Sequence, residues 1–286
     1  SPNLTMNIPR RKPLTANVGI IGVGLDTYWA QFDGLLDEMM GKLSQFESKV
    51  AANSVAVSNF GMIDNAEAAY SNIGAMKAAD LDLLFVDMVT YATSATFGVL
   101  VRELTCPIVL VALQPLSAMP YAKATTFTQL VNDDFCAVPE FTGVAIRFGK
   151  PVADVIIGMR GDDASADAGI ASWCRVAHAL HDLRRARIGL MGHVLEAMYD
   201  MHVDPTAVTR TFGCHVAVCE PDEILGFYEN RDEAAIAAKK CEILDFFDTP
   251  DPVSDPLTMK LTDRDLDVAA NAAVALEKFI AKRSLD

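Results

Sequence analysis

Apolar residues recur along this chain in two alternating rhythms. Short, solid runs (Val18 to Val23, Ser54 to Phe60, Leu81 to Val86, Ile108 to Leu113 and Val152 to Ile157) have the length and β-branched content of buried strands. Between them lie longer stretches with apolar positions three and four apart, the mark of amphipathic helices. Tyr28 to Ala51 is the clearest, with Trp29, Phe32, Leu35, Leu36, Met39, Met40, Leu43 and Phe46 on one broad stripe. Asn65 to Ala79, a helix capped by Thr93 or Ser94 and running to about Leu104, and Ala164 to Arg184 continue the series.

Strands that alternate with helices at this spacing predict a parallel sheet with helices on both faces, because parallel neighbours need crossover helices. The fold class expected is therefore α/β, a doubly wound, flavodoxin- or Rossmann-like sheet over residues 15–184. A second, shorter α/β domain follows over 185–286. It is read as incomplete, with strands at Arg187 to Met191 and His215 to Val218, a broken helix from Glu223 to Phe247, a loop from Asp248 to Asp255 and a strong helix from Asp263 to Arg283. Residues 116–150 predict only a helical piece near Lys123 to Val131, then a loop with a short helix.

Composition narrows the choice of partner. A formal charge of −14 and a pI near 4.7 argue against nucleic acid or an anionic membrane surface, both of which call for basic patches. No apolar run approaches the roughly 20 residues of a membrane-spanning helix. Ser1 to Pro13 carries Arg10, Arg11 and Lys12 but no apolar stretch after them, so no signal peptide is expected. Six cysteines without a C-x-x-C pair read as reduced thiols, and the expected location is the cytoplasm.

The chemistry concentrates at strand ends. Gly19, Gly22 and Gly24 suggest a phosphate-cradling turn, but the third glycine of G-x-G-x-x-G would fall on Thr27, and Ser58 and Asn59 stand where a ribose-binding acid belongs. Asp26-Thr27-Tyr28-Trp29 follows the first strand, Asp87 to Tyr91 the third, and Gln114 the fourth. In a parallel sheet all three lie on one edge, and in the flavodoxin-like order Tyr28 and Tyr91 flank one crevice. Aromatic faces beside an amide and hydroxyls suit a neutral polyol such as a sugar. The competing reading makes both tyrosines packing residues and Thr27 a helix cap. His178 and His181, three apart on a helix without the H-E-x-x-H arrangement, read as surface or interface residues; His193 and His202 fall in a loop-rich stretch, and no G-x-S-x-G elbow is present.

Taken together, GLDTYWAQF, DMVTYATSAT, LVALQP, PEFTGVAIRFGKP and RRARIGLMGH resemble, in order and approximate spacing over residues 15–220, the amino-terminal and central domains of the L-arabinose/L-fucose isomerase family. The resemblance implies a metal-dependent interconversion of aldose and ketose, usually with manganese, in trimers or hexamers whose active sites lie between subunits. It implies that Thr27, Tyr28 and Trp29 match the sugar-contacting turn, that Tyr91 stands where arabinose isomerases carry a Phe, that Gln114 matches a sugar-site Gln, and that Met191 lies near a methionine bordering the sugar. Cys136 departs from a His that reaches into a neighbouring subunit's site. The family's metal ligands, two carboxylates and histidines, come from the segment after the helix at which this sequence stops, so no metal or catalytic residue is assigned to it and it looks like a portion of a longer polypeptide.

The expectation is thus an aldose–ketose isomerase of which this chain supplies the sugar-binding wall and much of a homo-oligomer interface. The alternative is a non-catalytic cytosolic sugar-binding or regulatory protein of the same fold. A flavodoxin-like domain that binds a nucleotide or flavin at the same edge is a third possibility.

Overall fold

The computed structural model describes residues 15–249, 251–257 and 259–286. The basic stretch Arg10 to Lys12 and, within the loop expected over Asp248 to Asp255, Pro250 lie outside the described residues. The chain divides into two units, 15–182 and 183–286.

The first unit is built on five parallel strands: β1 (Asn17–Val23), β2 (Ala56–Ile63), β3 (Leu83–Met88), β4 (Ile108–Gln114) and β5 (Asp154–Met159). Their order is β2-β1-β3-β4-β5, the flavodoxin-like arrangement with its switch point between β1 and β3. Successive residues of a strand face opposite sides, and that alternation sorts the core. Ile20, Phe85 and Val111 meet Leu43, Phe46 and Val50 of α1 (Leu35–Ala51) and Ile170 and Cys174 of α6 (Ala164–Arg185). On the other side Ile21, Val86 and Leu110 meet residues of α2 (Ala66–Ala78), α3 (Ser94–Glu103) and α5 (Val138–Arg147). Phe46 packs edge-on to Phe85 on the first side at 5.7 Å between ring centroids; Phe97 stacks on Phe141 on the second at 4.6 Å. Each such fully buried ring contributes about 1.5–3 kcal/mol of transfer free energy.

Four local expectations need correction. The helix expected from Tyr28 begins only at Leu35: Asp26–Tyr28 is a single 3₁₀ turn, and Gly34 at φ +80° breaks the path between them. Neither Thr93 nor Ser94 caps α3 with its side chain. The Ser94 N–H instead donates to Oε1 of Glu140 on α5, at 2.8 Å. In the region 116–150 the helical piece expected near Lys123 to Val131 is α4 (Thr126–Val131), with a Thr125/Thr128 capping box, but the segment expected as loop plus short helix holds the ten-residue α5. Finally, His181 is no surface residue. It is buried, with Nδ1 2.7 Å from Oδ2 of Asp82, a carboxylate that also accepts the Asn17 N–H.

The second unit holds a parallel pair, β6 (Arg187–Met191) and β7 (His215–Cys219), with α7 (Pro205–Phe212), α8 (Asp222–Glu229), α9 (Glu233–Phe246) and α10 (Asp263–Arg283). Helix α7 was not expected, although Asp204 followed by Pro205 is a helix-start signal and the Asp204 carboxylate accepts the Thr206 N–H. Helix α10 packs on α8 and α9, and Ala217, Cys219, Phe279 and Leu285 form a small core. A Cβ on Gly189 would stand 2.6 Å from a terminal methyl of Leu285, so a side chain there requires Leu285 to shift. Among the described residues no helix is long and apolar enough to cross a membrane.

Candidate functional site at the carboxyl edge of the sheet

The turn after β1 is tied to the turn after β2. The Trp29 indole N–H donates to Asp64 Oδ2 at 2.7 Å, the Asn65 amide donates to Asp26 Oδ2 at 2.9 Å, and the indole ring lies over Gly24. Trp29 therefore spends its one polar group within the scaffold. Tyr28 and Phe32 pack edge-to-face and, with Trp29, cover Leu35, Met39, Val89 and Leu130. Thr27 is exposed, its hydroxyl 3.5 Å from Asp26 Oδ1.

Tyr91, three residues beyond β3, rises beside Tyr28, as the strand order requires. Its hydroxyl donates to Glu140 Oε2 at 3.4 Å, so that Glu140 holds both Tyr91 and the start of α3. Cys136, itself exposed, stands near Tyr28, Tyr91, Asp133 and Glu140. Burial first, and then neighbouring carboxylates, raise both phenols and the thiol above their ordinary values. Burial also raises Asp133, against the pull of the thiol and Lys42. Tyr28 and Tyr91 are therefore hydroxyl donors at neutral pH, and Cys136 is a thiol rather than an activated thiolate. The cluster can bind and orient hydroxyls.

The two other residues expected at the sugar site fall on other elements. Gln114, at the end of β4, donates from Nε2 to the Asn132 carbonyl at 3.1 Å and lines a separate hollow that neither tyrosine touches. Met191 ends β6, paired in register with Cys219, and belongs to the second unit.

What the sequence reading missed is the connector between α4 and α5. Three consecutive residues face three different surroundings: Asn132 the Gln114 hollow, Asp133 the Tyr28 and Cys136 cluster, and Asp134 the protein interior. Asp134 is fully buried and accepts from Lys42 Nζ at 3.0 and 3.1 Å and from Arg160 at 3.0 Å. Arg160 in turn forms a two-pronged bridge to Asp87 at 2.8 and 3.0 Å and donates to the Leu113 and Lys42 carbonyls. Lys42 also donates to the Val89 and Val131 carbonyls. Two cations and two carboxylates thus neutralise one another under the site and fix the connector from below. Burial, partly offset by these cations, pushes Asp134 up to about 6. For Arg160 the two carboxylates outweigh burial and hold the guanidinium charged. A cleft of about 560 Å³ opens beside Lys42 and Arg160, yet their donors are spent on the partners just named, which leaves none for an anion. The signal was legible only as NDDFC, a polar stretch indistinguishable from an ordinary loop.

No family model matches the chain, and no curated protein matches it. Among solved structures, one that is similar is described as a C2-type ketoreductase from a modular polyketide synthase, at 12% identity over 95% of this chain and 71% of that one, with a TM-score of 0.30. Similarity this low transfers neither fold nor chemistry.

Proposed function

We propose that this chain forms the sugar-recognition part of a metal-dependent aldose–ketose isomerase, with a neutral monosaccharide seated against Tyr28 and Tyr91. The observation that carries the reading is the convergence of two protonated phenols with Asp133, Cys136 and Glu140 at the β1/β3 crevice, the edge where open α/β sheets take ligands. The ordered resemblance to the L-arabinose/L-fucose isomerase family supports it and supplies the reaction, along with a cytoplasmic, homo-oligomeric form. Asp133 and Glu140 accept from sugar hydroxyls in this arrangement, while the tyrosine rings cover C–H faces.

When bound, the divalent metal that the resemblance implies, manganese, would supply polarisation of the carbonyl and adjacent hydroxyl for proton transfer. The side chains here do not suit it. Among the described residues no group of three or more His, Cys, Asp or Glu is placed to hold a metal ion. The part proposed for this chain is recognition, and no reaction step is assigned to its residues. The second reading is a non-catalytic sugar-binding protein of the same fold.

Calorimetric titration of the chain with aldopentoses, hexoses and deoxyhexoses tests the proposal. Tyr28→Ala is expected to weaken sugar binding by roughly fivefold to tenfold through loss of a hydrogen bond and ring contact. Unchanged affinity in a folded variant removes Tyr28 from the site. Ketose formation by this chain alone with Mn²⁺ overturns the assignment of the metal ligands to residues elsewhere.

A further inference from the structure

The segment that follows β6 carries a run of soft donors. Within Met198-Tyr199-Asp200-Met201-His202, two thioethers and an imidazole fall inside five residues. Tyr199–Met201 is a single 3₁₀ turn, closed by the Met201 N–H on the Met198 carbonyl at 3.1 Å and by the His202 N–H on the Tyr199 carbonyl at 3.2 Å. Met198 and Met201 therefore stand three apart around one turn, the spacing at which side chains of a 3₁₀ helix eclipse. His202 follows directly, its ring edge-on to Tyr199 at 5.9 Å between centroids.

The fold uses none of these donors. Met198 and Met201 are 41% and 51% exposed, although methionine is among the residue types most often buried, and His202 is exposed too. Among the described residues the His202 ring forms no hydrogen bond or ion pair, whereas His193, earlier in the same segment, holds Nε2 3.6 Å from Glu220 Oε2.

Donor chemistry selects the ion. A thioether is neutral and polarisable: it is a poor ligand for a hard, oxygen-seeking cation such as manganese, but it selects Cu(I), and imidazole suits copper as well. Two thioethers and one imidazole make a neutral three-donor set, which matches an ion of low charge. Asp200 between them and the formal charge of −14 on the chain draw a cation toward this surface.

We infer that Met198, Met201 and His202 form a binding site for a soft monovalent metal ion of the Cu(I) class. The site belongs to the second unit, and it depends neither on the sugar reading nor on the manganese that the resemblance implies.

Methyl nuclear magnetic resonance on the whole chain tests the inference. Protein labelled with ¹³C at the methionine methyls and ¹⁵N in the histidine rings is titrated with Ag(I), an air-stable ion of the same class, and then with Cu(I) under nitrogen. The exposed thiols of Cys136 and Cys241 also take such ions, but a response of the Met198 and Met201 methyls reports the turn itself. Saturable shifts of both methyls and of the His202 ring are expected. Met198→Leu and Met201→Leu keep the apolar volume and remove the sulfur; each is expected to weaken the affinity read at the remaining donors by at least the roughly 10–100-fold that loss of even an outer-shell partner costs a metal site. Methyls that stay still while the thiols fill overturn the site, and so does unchanged affinity in the leucine variants. A matching response to Mn²⁺ overturns the soft-ion assignment. Methyl shifts that follow dilution of the protein instead of the ion also overturn it, and make the turn a contact between copies.

Discussion

Gly24 lacks a side chain because Trp29 occupies the space that one would take: a Cβ there would stand 2.8 and 2.9 Å from the indole ring. The glycine first suggests a nucleotide turn, and its actual role is to let the indole fold back over the end of β1 and reach Asp64. Gly24→Ala therefore forces the ring outward. The expected cost is about 1–3 kcal/mol, typical of overpacking, measured by urea unfolding, and a shifted tryptophan emission follows as the Trp29–Asp64 hydrogen bond loosens. Wild-type stability and emission contradict this account. The same residues show how a local reading divides. Tyr28 and Tyr91 were legible as crevice neighbours because strand order alone brings them together. Trp29 looked like a third member of the wall, and nothing in the sequence disclosed that its N–H is already engaged.

Among the elements, the connector 132–137 matters most, and it is held by a buried carboxylate. Asp134 sits near 6 in the folded chain, above its ordinary 3.8, because burial disfavours its charge more than Lys42 and Arg160 favour it. A raised folded value means that the folded state retains a proton after the unfolded chain has lost it. Asp134 therefore contributes stability that is fully present below about pH 4 and is lost as pH rises through about 6, up to about 3 kcal/mol for a shift of this size. Urea unfolding of the wild type and Asp134→Asn from pH 4 to 7 reads this directly. The wild type is expected to lose stability relative to the variant across that window, and parallel pH profiles contradict the assignment. The two helices that flank the connector were only partly legible. A Thr-x-x-Thr box opens α4, whereas the start of α5 depends on Pro139 and on the Glu140 bond to α3, a contact between segments 46 residues apart.

At the scale of the first unit, Arg160 is the residue that joins most parts. It binds Asp87 on β3, Asp134 in the connector, the Leu113 carbonyl on β4 and the Lys42 carbonyl on α1. Arg160→Met fits the volume but leaves two buried carboxylates facing one lysine. We expect a loss of about 3–5 kcal/mol, the cost of breaking a buried ion pair from one side, measured by chemical denaturation. A loss within a few tenths of a kcal/mol rejects the network as a stabilising unit. The sequence by itself determined the α/β class, the five parallel strands, most of the helices between them and the edge at which β1, β3 and β4 end together, because hydrophobic periodicity and crossover connections are local properties written into consecutive residues. Only the tertiary structure decided which polar groups are buried and with whom: that Lys42, Asp87, Asp134 and Arg160 neutralise one another across 118 residues, that His181 meets Asp82, and that Asn132 keeps an oxygen without a partner. The reason is physical. The free energy of a buried charge or amide depends on the dielectric and the partners that distant segments bring to it, and neither quantity exists until those segments meet.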